Sequence, residues 1–167
     1  MSVIGTATVT RQVDASPEDV WRVLADGWLY PLWVVGAARM RDVDQAWPAV
    51  GSRLHHSVGN WPVLIDDRTE VLAVDQGRSI RLRAHAWPAG AAEVLIEIED
   101  APPGSLVRIR EDAAEGPGTL VPKPLRQLGL VPRNRESLRR LAYLAEGRGI
   151  TSGSGGTDRG TTRGAER

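Results

Sequence analysis

The 167-residue chain has no cysteine, no phenylalanine, a single lysine and no net charge. Without cysteine there is no disulfide, no thiolate metal site and no cysteine nucleophile. Its 21 basic and 21 acidic side chains cancel, so no global field recruits nucleic acid or an anionic membrane. Arg159 and Arg163, near the end, are too sparse to make a nucleic-acid site. No apolar run approaches the roughly 18–20 residues needed to span a bilayer, and no early segment joins a basic start to an apolar stretch. The expectation is a cytoplasmic protein without integral membrane association. No GxSxG, P-loop, GxGxxG or HExxH pattern is present, so the common catalytic and nucleotide-binding signatures are excluded.

What is there reads as one soluble domain, with 41% hydrophobic and 25% charged residues and enough length to bury a core. Twenty arginines against one lysine, with abundant alanine, glycine and valine, point to a GC-rich genome. Residues 3–14 carry a strand-like run ending in Val9-Thr10-Arg11-Gln12-Val13, with threonines on one face. A helix start follows at once. Ser16 is a strong N-cap, Pro17 occupies the first turn where its missing N–H costs nothing, and Glu18 and Asp19 suit the positive helix end. Val20, Trp21, Val23 and Leu24 supply its apolar stripe. Residues 27–33, aromatic and interrupted by Pro31, predict a second brief helix or turn over one mouth of a sheet.

Strand-like segments then run over 37–44, 52–58, 63–75, 78–87, 91–100 and 105–113, joined by hairpin-sized connections, which implies an antiparallel meander. Ile80, Leu82, Ala84 and Ala86 oppose Arg81, Arg83 and His85 along one strand. Val94, Ile96 and Ile98 oppose Glu93, Glu97 and Glu99 on the next, and Val107 and Ile109 oppose Arg108 and Arg110. One face therefore carries rows of Arg, Glu and Arg suited to cross-strand pairing in water, and the other is apolar and needs a cover. The cover is an amphipathic helix from about Arg133 to Gly147, whose apolar positions Leu138, Leu141, Ala142, Leu144 and Ala145 follow helical spacing. Pro117, Pro122, Pro124 and Pro132 make the preceding segment, 114–132, read as a flap with one turn of helix around Leu125. The chain divides into a domain over 1–149 and a Gly/Ser/Thr/Arg-rich tail over 150–167 that is expected to be disordered.

In Asp14-Ala15-Ser16-Pro17-Glu18-Asp19-Val20-Trp21, the strands after it and the run Arg133 to Leu141, the chain resembles the START-like, Bet v 1-like (SRPBCC) superfamily, and within it the polyketide cyclase/dehydrase-like proteins. The resemblance covers about residues 3–148. It implies an α+β helix-grip fold: a curved seven-stranded antiparallel sheet wrapped around a long C-terminal helix, with short helices after the first strand. It further implies a hydrophobic cavity for a lipid-like or polyketide-like small molecule. Some members of the family are aromatase/cyclases, and others are interaction modules. A shared fold leaves these alternatives open.

Within such a cavity the residues themselves suggest a lining. Adjacent strand residues face opposite ways, so His55 and His56 cannot converge on one metal ion, and His85 is the only other histidine. No metal site and no cofactor are expected. Keeping Leu54 inward turns His56 into the cavity. Glu111 shares parity with Val107 and Ile109, and Asp67 points away from Asp66. Asn134, four residues before Leu138, lies on or beside the inner helix face. The expected ligand-contacting residues are Trp33, His56, Trp61, Thr69, Trp87, Glu111 and Asn134, with His56 and Glu111 as the acid/base candidates if a reaction is catalysed.

Overall fold

A computed structural model describes residues 7–60, 62–86 and 90–153. Strand β1 (Ala7–Val13) is followed by α1 (Pro17–Ala25), a 3-10 turn (Gly27–Leu29) and a short helix α2 (Tyr30–Trp33). Six strands then follow: β2 (Ala37–Val43), β3 (Arg53–Asn60), β4 (Val63–Asp75), β5 (Ser79–Ala86), β6 (Gly90–Ala101) and β7 (Gly104–Glu115). A 3-10 turn (Pro117–Leu120) leads into helix α3 (Lys123–Gly153). All seven strands form one curved antiparallel sheet in the order β1-β7-β6-β5-β4-β3-β2, so the meander returns the last strand to the side of the first. This is the helix-grip architecture expected from the sequence.

The local chemistry explains the first helix. The Ser16 hydroxyl accepts the Asp19 N–H at 3.1 Å and donates to the Asp19 carboxylate at 2.7 Å, satisfying an N–H that no helical carbonyl can reach. The stripe Val20, Trp21, Val23 and Leu24 is buried. On the outer face of the sheet the charged rows pair across strands: Arg83 with Glu93 at 3.2 Å, Arg108 with Glu99 at 3.1 Å, and Arg110 with Glu97 at 3.1 Å. Being solvated, each contributes at most about 1 kcal/mol. Gly104 opens β7 where a side chain would collide with the Val13 carbonyl oxygen, so glycine lets the ends of β1 and β7 draw together.

The inner face of the sheet is closed by α3, which packs on β1, α1 and α2. Its buried residues Leu138, Leu141, Ala142 and Ala145 join Val9, Val13, Val20, Val71, Ile80, Ile96 and Val107 in a single core. Helix α3 differs from the sequence expectation at both ends. It begins about ten residues earlier than Arg133, taking in most of the expected flap, because Pro124 falls in the first turn, where no N–H is needed. Pro132 lies inside the helix, where it removes one backbone hydrogen bond without ending it. Arg126 ties this early part to β7 through Asp112 at 2.9 Å. At the other end the helix continues past Gly147 and Gly149 to Gly153, because neither glycine adopts the left-handed conformation that stops a helix. The rest of the tail lies outside the described residues.

Candidate functional site

Between α3 and the sheet is a cavity of about 60 Å³. Helix α2 and the residue after it contribute Tyr30, Trp33 and Val34, and the sheet contributes Leu82, Ala84, Val94, Ile109 and Glu111. Arg133, Asn134 and Ser137 of α3 close it. Most of this wall is apolar, as the alternation of β5, β6 and β7 dictates. The polar groups are gathered on one side.

Glu111 sits at 3% exposure on β7, opposite Val94 of β6 and Ala7 of β1. Both of its carboxylate oxygens are held by Nη2 of Arg133, which reaches in from α3. Arg133 itself is 38% exposed, so the cavity meets the surface beside it. The carbonyl oxygen of Asn134 accepts a long bond from the same guanidinium nitrogen at 3.4 Å, and the Asn134 side chain is otherwise buried. Two polar atoms of this group have no partner: Nε of Arg133 and Nδ2 of Asn134. Buried donors left unpaired cost about 1–3 kcal/mol each, so folds rarely carry them without a use. Ser137 accepts the Val35 N–H at 3.1 Å and fixes the end of α2 against α3.

Behind Tyr30 lies a second polar group. The Thr69 hydroxyl is 3.0 Å from the Tyr30 hydroxyl and 3.0 Å from Nε2 of His56. The Tyr30 and His56 rings lie 5.1 Å apart, and Tyr30 meets Trp33 edge-on at 5.5 Å. The strand register accounts for this: Leu54 faces Thr69 and His56 faces Asp67, so His56 and Thr69 are diagonal neighbours on the inner face. Burial pushes the Tyr30 phenol up to about 12, despite its bond to Thr69. Burial, with Arg41 and then His55 nearby, pulls His56 down to about 4. Asp67 is raised by burial, against the Arg68 N–H that its carboxylate accepts.

The structure thus puts Trp33, Glu111 and Asn134 of the expected lining residues on the cavity wall. His56 and Thr69 are inward and buried but stand one layer back, screened by Tyr30. Trp61 and Trp87 lie outside the described residues. His55 faces the other way and pairs with Asp44 at 3.3 Å. No group of three or more metal-ligating side chains occurs among the described residues. Two wall residues carry no sequence signal of their own. Arg133 reads as the polar start of an amphipathic helix, and the inward turn of Tyr30 depends on how α2 packs.

His56 gives a pH test. In the unfolded chain it takes a proton near 6.5, whereas in the fold it stays neutral down to about 4. Between these values the unfolded state binds more protons, so stability falls as pH drops from about 6.5 to 4. At about 1.4 kcal/mol per unit the loss reaches at most roughly 3 kcal/mol. Asp67, raised by burial, acts oppositely as pH passes above its ordinary value, and it reduces the net slope where the two ranges overlap. In urea titrations from pH 7 to 4.5, His56→Gln is expected to flatten the decline. An unchanged decline would place the acid sensitivity elsewhere.

The curved sheet closed by α3, with a cavity between them, defines a helix-grip protein. Residues 5–146 match the family described as polyketide cyclase/dehydrase and lipid transport, and the chain belongs to that family. No curated protein sequence matches it significantly. Among solved structures it is similar to protein NE0264 from Nitrosomonas europaea, at 16% identity and a TM-score of 0.69, covering 89% of this chain and 98% of that one. It is similar to the di-domain ARO/CYC StfQ from the steffimycin biosynthetic pathway, at 13% identity and a TM-score of 0.68, covering 86% of this chain and 51% of that one. It is also similar to Ara h 8.0201, at 12% identity and a TM-score of 0.62, covering 87% and 97%. No helix among the described residues is long and apolar enough to cross a membrane.

Proposed function

We propose that the protein binds a hydrophobic or aromatic small molecule between the sheet and α3, with the polar end of the ligand at Arg133 and Asn134. The observation that carries this reading is the cavity itself, with a mostly apolar wall and Glu111, Arg133 and Asn134 gathered on one side. Sites that enclose a whole drug-sized ligand run to about 300–1,000 Å³. At about 60 Å³ this cavity seats a head group, and the body of the ligand leaves past the rim at Arg133 or moves α3 outward.

Binding is favoured over a cyclase or dehydratase reaction by the state of the titratable groups. A general base works best with a pKa near the working pH. His56, pulled down to about 4, is a weak base at neutral pH and stands behind Tyr30. Tyr30, pushed up to about 12, keeps its proton, and Glu111 is tied to Arg133.

The test is native mass spectrometry of the protein purified from its own host, followed by denaturing extraction. A stoichiometric apolar adduct with an oxygen-bearing end is the expected result. A clean apo mass, together with no amide shift at Val34, Ala84 or Ser137 on titration with naphthalene or isopropylbenzene, would overturn the reading in favour of an interaction module with a filled interior.

A further inference from the structure

We propose that the outward side of α3 is a docking surface for an anionic lipid bilayer, on which the helix lies lengthwise with its leucines inserted and its arginines at the phosphates. The proposal stands whatever the cavity holds.

Three observations combine. The first is a second stripe on the helix. Leu138, Leu141, Ala142 and Ala145 face the core. Leu125, Leu128, Pro132, Arg135, Arg139 and Tyr143 recur at spacings of three and four on another side, and all six are exposed. Leu120, in the turn before the helix, is 83% exposed and extends the apolar end of this stripe. Such a run of protruding leucines has no use inside the fold.

The second observation is charge. The whole chain is neutral, yet the sequence of α3 holds seven basic and two acidic residues, so the remainder is net acidic. Arg126, Arg133 and Arg148 are paired with Asp112, Glu111 and Asp26, and Glu146 accepts the Asp14 N–H. On the outward side that leaves Arg135, Arg139 and Arg140 against one carboxylate, Glu136, which Arg139 and Arg140 share at 2.9 Å each. An anionic surface attracts this side and repels the acidic remainder, which turns α3 toward it.

The third observation is the mixture of side chains. Leucine enters below the head groups, arginine lays its stem along apolar surface with its head at the phosphates, and tyrosine sits at the boundary. Arg139 already lies over the Tyr143 ring at 5.7 Å. Other partners match the stripe less well. A second copy packed along all of it would bring two positive faces together. A nucleic acid would use the arginines and leave the leucines in water. A protein must offer a groove shaped to this ridge, whereas a fluid bilayer yields to it.

The full chain is sedimented with vesicles of phosphatidylcholine alone and of phosphatidylcholine mixed with phosphatidylglycerol. Binding to the mixed vesicles should be about tenfold tighter or more, and most of it should vanish in about 0.5 M salt. Leu125→Gln with Leu128→Gln should weaken it about tenfold or more, and Arg135→Gln with Arg139→Gln by a similar factor. Val63→Gln with Leu64→Gln, a comparably exposed apolar pair on β4, should stay within about twofold of wild type. Urea midpoints close to wild type in all three variants would show that the surface, and not the fold, has been changed. A chain that ignores the mixed vesicles, or a loss confined to the Val63 and Leu64 variant, would overturn the proposal. So would a dimer that the leucine variant dissociates in the absence of vesicle binding, which would give the face to a second copy.

Discussion

Replacing Arg133 with methionine should destabilise the protein by about 3–4 kcal/mol at pH 7.5. Glu111 is 3% exposed, and both of its oxygens rest on that guanidinium. Removing one member of a buried ion pair leaves the other charge without compensation, at a typical cost of about 3–5 kcal/mol. The lower part of that range applies because Arg133 is itself partly exposed. Urea unfolding at pH 7.5 reads the loss. The double variant Glu111→Gln/Arg133→Met, with no charge left to bury, should recover most of it. A single variant as stable as wild type would mean that Glu111 reaches water.

The second large effect is expected at Leu141. It is fully buried on α3, in the core shared with β1 and α1, two turns beyond Asn134. Leu141→Ala removes three carbon atoms from a site whose neighbours belong to separate elements and cannot all close in. The expected cost is about 3–4 kcal/mol, from lost transfer energy and the cavity left behind. Leu128, on the same helix but 73% exposed, is the control, and Leu128→Ala should stay within about 0.5 kcal/mol of wild type. Equal effects at the two positions in denaturant titrations would show that α3 does not grip the sheet as described.

How far the chain could be read in advance depended on whether the signal was local. Ser16, Pro17 and Asp19 specify a helix start among themselves, and that start is where the structure has it. The alternation Ile80, Leu82, Ala84 against Arg81 and Arg83 follows from strand geometry alone, and so did the inward parity of Glu111. The inward turn of His56 followed in the same way, but its screening by Tyr30 did not. That depends on where α2 docks, and the docking is fixed by tertiary contacts such as the bond from Val35 to Ser137. Arg133 was hidden by a different cause. Pro132 and its neighbouring prolines read as helix breakers, so Arg133 read only as the start of the helix. Within a helix already started at Lys123, it sits mid-helix and reaches into the site. Packing overrode propensity there, as it commonly does.

The pairing of β1 with β7 has a consequence for synthesis. Val9 faces Ile109 across the ladder, so β1 must wait during synthesis for a partner encoded about a hundred residues later. At the usual ~5–20 residues per second that delay is roughly 5–20 s, far longer than the microseconds in which a helix forms. Through that interval α1 can form but lacks its main cover, since α3 follows all seven strands in the chain. Val9, Val13, Trp21 and Leu24 then belong to an apolar nascent surface that waits for β7 and α3 to cover it, which makes the β1–α1 segment the natural ground for chaperone capture and for aggregation when synthesis stalls.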